Sequence, residues 1–264
     1  MSGLSREEAI SALRWLVESG ADEAIGEVPI NRLLAPAPQQ RSITPAPEKA
    51  APIPPPPVVS FGAESAERVA ASCRSLSELK AAVMAFEGCE LKRQATNTVF
   101  ADGNPAGGIM FIGEAPGVEE DRQGLPFVGR AGQLLDRMLA SIGLDRQKVY
   151  ITNIVNWRPP GNREPSLEEA SICLPFLHRH IELANPKILV LLGAVPARHL
   201  MGAQGIMRAR GRWEIYRLHS SGREIPTMLT LHPAYLLRQP SAKRLAWNDF
   251  LAIAEKISSL GVAT

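Results

Sequence analysis

The chain has 264 residues, a hydrophobic content of 45% and a formal net charge of +2. Such a length allows one sizeable domain plus extensions. The near-neutral balance excludes bulk electrostatic binding of nucleic acid or a membrane surface, while leaving room for a local basic groove. No apolar run approaches the roughly 20 residues of a membrane span. The opening segment, MSGLSREEAISALRWLVESG, carries acidic residues and no signal-peptide core, so the expected location is the cytoplasm, with no membrane partner. Three cysteines, Cys73, Cys89 and Cys173, are too few and too scattered for a disulfide framework. Nothing in the sequence demands an oligomer, and a monomer is expected.

Residues 5–18 place Ile10, Leu13, Trp15, Leu16 and Val17 among charged residues, a short amphipathic helix pattern within an N-terminal region of residues 1–33. Residues 34–60 are rich in proline and alanine and read as an extended linker. At about 3.1 Å per residue it reaches roughly 80 Å. A third region, residues 61–264, follows. Residues 65–87 read as one helix, with Val69, Leu76, Leu79 and Val83 as its apolar positions. Next come a buried strand at Gly108–Gly113, a helix at Ala131–Ile142 and a strand at Val149–Val155. Ser166 opens the next helix, and Glu169 three residues later completes a capping box. That helix stops before Asn185-Pro186. Ile188–Leu192 is a strand and Pro196–Leu200 begins a helix. Arg212–Tyr216 and Pro226–Leu231 are strands, and Ser241–Leu260 is a terminal helix. Strands alternating with helices predict an α/β fold, a parallel sheet covered on both faces. In such sheets ligands bind beyond the carboxyl ends of the strands.

The residues beyond each strand are therefore the ones to read. After the first come Gly113-Glu114-Ala115-Pro116-Gly117 and then Val118-Glu119-Glu120-Asp121, four carboxylates within eight residues. Glu114 follows the strand directly; a solvated acidic loop is the plain alternative. Phe127 lies among turn residues in GLPFVGRAG, placed to stack on a flat ligand or to plug the core. The glycines and Arg130 that follow open a helix whose free N–H groups suit a phosphate. Asn153, near the end of the second strand, can donate and accept at once, which suits a base edge; a structural asparagine reads equally well. Arg158 and Arg163 flank a stiff turn and suit a DNA backbone, or belong to an ordinary surface loop. The last strand runs into HPAYLLR. His232 there can hydrogen-bond developing negative charge, although His-Pro alone is commonly a turn. Leu236, Leu237 and Arg238 are core or cap residues, or a wedge that fills a vacated base position.

Taken in order, GEAPGVEED, GLPFVGRAGQLL, YITNIVNWRPPGNR and HPAYLLR resemble the family 4 uracil-DNA glycosylases of bacteria and archaea. The resemblance runs from about Cys89 to about Ala254, leaving out the N-terminal helix and the linker. It implies a three-layer α/β/α sandwich around a four-stranded parallel sheet, and a monofunctional enzyme that flips uracil out of DNA and hydrolyses it away, leaving an abasic site. By the same resemblance Glu114 is the catalytic carboxylate and His232 stabilises charge on uracil O2. Asn153 reads the uracil edge, Phe127 stacks on the base, and Glu120 crowds the C5-methyl of thymine. Ala115 stands where some members carry glycine. Arg130, Arg158, Arg163, Leu237 and Arg238 are the expected DNA contacts.

The family typically holds a [4Fe-4S] cluster on four cysteines. Here Phe86 and Trp157 occupy two of those positions, and only Cys89 and Cys173 remain. Such clusters need four thiolates or a close substitute, so the expectation is that no cluster is bound and that Phe86 and Trp157 pack its space. Two other functions compete. One is a non-catalytic uracil or single-stranded DNA-binding module of the same fold. The other is a covalent uracil-DNA crosslinker, disfavoured because Gly129 runs straight into Arg130-Ala131-Gly132 without the inserted loop that branch carries. The N-terminal helix suits a tether to a repair or replication partner, or is a dispensable tail.

Overall fold

The computed structural model describes residues 61–261, so the expected N-terminal helix and the proline-rich linker lie outside the described residues. The elements run α1 (Phe61–Ser72), α2 (Leu76–Ala85), α3 (Glu90–Gln94), β1 (Asp102–Gly103), β2 (Ile109–Gly113), α4 (Val118–Gln123), α5 (Arg130–Ala140) and β3 (Tyr150–Asn153). They continue with α6 (Leu167–Ala184), β4 (Ile188–Leu192), α7 (Ala194–Met201), α8 (Ile206–Ala209), β5 (Trp213–Arg217), β6 (Glu224–Thr230), α9 (Pro233–Arg238) and α10 (Lys243–Ser259).

β2 and β4 are buried at every residue. Continuous apolar runs of this kind belong to strands covered on both faces. Their side chains alternate between two cores. Met110, Ile112, Leu189 and Leu191 face a core shared with α1, α2, α6 and α7. Ile109, Phe111, Ile188 and Val190 face one shared with α5 and α10. The result is the expected three-layer α/β/α sandwich. The sheet itself is larger than expected. Its order is β1-β3-β2-β4-β6-β5, in which β3, β2, β4 and β6 pair in parallel. β1 and β5 extend it as antiparallel edges. From β2 the chain moves first to β3 on one side and later to β4 on the other. That reversal of direction opens a crevice at the carboxyl ends of the strands.

The single helix expected over residues 65–87 is two helices, α1 and α2. Ser75 starts the second: its Oγ accepts from Glu78 N–H (3.2 Å), and the Glu78 carboxylate accepts from Arg74 N–H (2.6 Å). A serine followed three residues later by glutamate is itself a start signal, and it outweighs the continuing apolar period. The Ser166–Glu169 capping box is present, with Asn185 ending α6 in a left-handed conformation. No helix among the described residues is long and apolar enough to cross a membrane.

Candidate active site

β2, β3 and β6 deliver Glu114, Asn153 and His232 to one cavity of about 410 Å³, which Phe127, Ala115, Glu120, Arg163 and Arg238 also line. Gly113 and Asn153 are register partners at the ends of their strands. A side chain on Gly113 would collide with the Phe127 ring and would come within 2.5 Å of Asn153 Oδ1. Glycine at this position is what lets the ring and the amide share one wall.

Asn153 is buried, and its Oδ1 is the one fully buried side-chain polar atom among the described residues that has no hydrogen-bond partner. An orphaned acceptor of this kind costs about 1–3 kcal/mol. It therefore marks a place where a ligand N–H completes the structure.

His232 is the N-cap of α9. Its Nδ1 accepts from Ala234 N–H at 3.1 Å, so in the neutral ring the proton sits on Nε2. Burial, aided by Arg238, holds the imidazole down to about 4. At neutral pH the residue is an uncharged N–H donor rather than a cation. Glu114 is half-buried. Burial and the nearby Glu164 carboxylate raise its pKa, while Arg198 and Arg238 pull it back. Glu164 and Arg198 form an ion pair at 2.5 Å. Neither belongs to the motifs that single out the site; their effect on Glu114 arises only when the loop before α6 folds beside α7.

Phe127 is buried and adopts φ 55°, a conformation that L-residues avoid. Its ring lies 5.5 Å from that of His232, tilted by 32°. Glu120 has a second task beyond lining the cavity. Its two carboxylate oxygens accept from Gly117 N–H (3.1 Å) and Gly129 N–H (2.8 Å). The side chain thus ties the loop after β2 to the start of α5.

The expected DNA contacts divide. Arg163 lies at the cavity, held by two hydrogen bonds to Glu169 (2.6 and 2.7 Å), and Arg238 stands exposed beside it. Arg158 bonds Asn162 at 2.7 Å. Arg158, Arg130 and Leu237 are not among the cavity-lining residues. Leu236 is no wedge: it is 1% exposed and packs with Leu231, Ala242 and Ala246. Asn162, which the sequence reading passed over, lines the cavity with φ 56°. Its signal was the Gly-Asn pair, a common site of left-handed turns.

The family model described as the uracil DNA glycosylase superfamily matches residues 100–251. Curated relatives include type-4 uracil-DNA glycosylases. The one from Sulfurisphaera tokodaii is 40% identical over 69% of this chain and 84% of its own length. That from Archaeoglobus fulgidus is 39% identical over 69% and 92%, and that from Thermotoga maritima is 42% identical over 61% and 83%. The chain belongs to the type-4 uracil-DNA glycosylase family.

The cluster implied by the family does not fit the residues present. Cys89, Cys173, Phe86 and Trp157 share one buried apolar block, and all three cysteines of the chain are free thiols. The neighbouring Cys89 thiol, together with burial, pushes the Cys173 thiol well above its usual range. The Trp157 indole N–H donates to Thr98 Oγ1 at 3.0 Å, and Phe86 packs edge-on against Phe176 with ring centroids 5.0 Å apart. Two thiols between two rings are not a four-thiolate site. No group of three or more His, Cys, Asp or Glu among the described residues is placed to hold a metal ion.

Proposed function

We propose that this chain is a monofunctional uracil-DNA glycosylase, and that Asn153 Oδ1, buried and unpartnered in the cavity, is the acceptor for the N3–H of a flipped uracil. A base inside a duplex is out of reach, so it must leave the stack at a cost of a few kcal/mol, about 1–3 of which a base–aromatic contact returns. Phe127 supplies that contact. Asn153 Nδ2 donates to the adjacent carbonyl O4, which fixes the edge that distinguishes uracil from cytosine. Glu120 fills the cavity wall on the side where a C5-methyl would enter. Its carboxylate is anchored by two backbone amides and has no freedom to retreat.

In the reaction the bond between C1′ and N1 breaks, and its electron pair passes into the base. Negative charge collects on O2, where the neutral His232 donates from Nε2. A preorganised donor to a developing oxyanion is worth about 2.7–4 kcal/mol. The sugar becomes cationic at C1′, and the Glu114 carboxylate stabilises it or orients the attacking water. Water adds to C1′ and a proton returns to the base, leaving an abasic site. Arg163 and Arg238, at the rim, hold flanking phosphates, with Arg130, Arg158 and Leu237 engaging the strand farther out.

The chemistry runs without iron. Phe86 and Trp157 stand at two of the four positions where the family carries cluster cysteines, so purified protein shows no absorbance near 400 nm and no bound iron. Stoichiometric iron and sulfide would sink this reading. The protein works as a monomer in the cytoplasm, on nucleoid DNA, and residues 1–33 recruit a repair or replication partner. Removal of residues 1–60 leaves uracil release in vitro unchanged.

The deciding assay is release of uracil from an oligonucleotide by the wild type, Glu114→Ala and His232→Ala. Both variants lose excision. Full activity in both would overturn the assignment.

A further inference from the structure

Outside the cavity, one side chain divides its donors between the backbone of the Phe127 loop and two carboxylates. Arg146 lies in the turn before β3 and is not among the residues that line the cavity. Its Nη1 donates to Pro126 O (3.1 Å) and its Nη2 to Phe127 O. The same guanidinium is clamped by two carboxylates: Asp102 of β1 at 2.6 Å and Asp136 of α5 at 2.8 Å. Two successive carbonyls thus point at one cation, an arrangement that the left-handed conformation of Phe127 produces. Gly132 lets the same carbonyl approach α5, since a side chain there would collide with Phe127 O. Nothing intrinsic to phenylalanine favours φ 55°. Released from the cation, the backbone relaxes to negative φ, and the ring leaves its place beside Gly113 and His232.

We propose that Arg146 is a positioning residue for base stacking: by gripping the carbonyls of Pro126 and Phe127 it locks the Phe127 ring into the cavity wall. The proposal rests on the reading of Phe127 as the stacking surface. Asp102 and Asp136 orient the guanidinium and contribute mainly to stability, because neither touches the Phe127 loop through any bond of its own.

The test is single-turnover excision by full-length Phe127→Ala, Arg146→Met, the double variant, Arg146→Lys, Asp102→Asn and Asp136→Asn, each with its melting temperature. Phe127→Ala slows excision about tenfold. Arg146→Met slows it to the same extent, and the double variant is no slower than either single one, since both remove the same contact. Arg146→Lys keeps the cation, folds, and recovers part of the rate. Asp102→Asn and Asp136→Asn lower the melting temperature but retain most of the rate, which a merely structural role for Arg146 does not predict. Wild-type rate in Arg146→Met, or losses that multiply in the double variant, would overturn the proposal while leaving Phe127 in its role. Wild-type rate in Phe127→Ala would overturn the stacking reading and the proposal with it.

Discussion

At the strand ends, Asn153 keeps a buried oxygen without a partner, Phe127 sits at φ 55° and the half-buried His232 is held as a neutral ring. Around Cys89 and Cys173, on one face of the same sheet, Trp157 has a partner for its indole N–H, and Phe86 and Phe176 meet edge to edge. The first region tolerates unpaired and strained groups, whereas the second is closed and apolar. Local cost persists where a ligand relieves it. Around Cys89 and Cys173 no such cost is visible, and bulky side chains pack as in ordinary core.

This contrast is open to direct test. Trp157→Ala, in the packed region, opens a large void and costs about 3–5 kcal/mol of stability. Chemical denaturation measures it, and the excision rate per folded molecule stays the same. A matching loss of rate at constant stability would erase the division between the two regions. His232→Ala, in the cavity, does the reverse: excision falls by about two to three orders of magnitude with little change in unfolding free energy. Asn153→Leu separates the two quantities within one residue. It removes an orphaned acceptor, so stability rises by about 1 kcal/mol, while excision falls roughly ten- to a hundredfold for the loss of two hydrogen bonds to the base. Stability that falls instead would mean the amide already has a partner.

The smallest effect is electrostatic. The acid limb of the pH–rate profile belongs to Glu114, whose carboxylate is the working form and whose pKa is raised; activity is therefore lost as pH falls through that raised value. Glu164→Gln removes a like charge, lowers the Glu114 pKa and moves the limb to lower pH. His232, at about 4, stays a neutral donor across the range above that value.

Much of this was legible beforehand because strands buried on both faces write themselves as unbroken apolar runs, as in IMFIG and ILVLL. The rule that sites lie beyond strand ends then singled out Glu114, Asn153 and His232, which the fold brings to one cavity. Other features had no local signature. β1 is two residues long, too short for a period to show. Arg146 sits in a polar turn where any arginine looks like surface, and its role exists only once Asp102, Asp136 and the Phe127 loop close around it. For Leu236 the sequence left core and wedge both open; a helix of six residues must still bury one face, and Leu236 is on it. The two edge strands were readable in part, β5 from its pattern and neither in its direction, since antiparallel pairing depends on partners distant in the chain.

The orphaned oxygen of Asn153 has a consequence after the bond is cut. Free uracil still carries its N3–H and O4, so the amide grips the liberated base as it gripped the lesion. On the proposed reading of Asn153 the protein retains its product, and added free uracil competes with damaged DNA in an excision assay. Turnover is then paced by the departure of a small heterocycle, and accumulated base in a confined volume acts as a brake on repair.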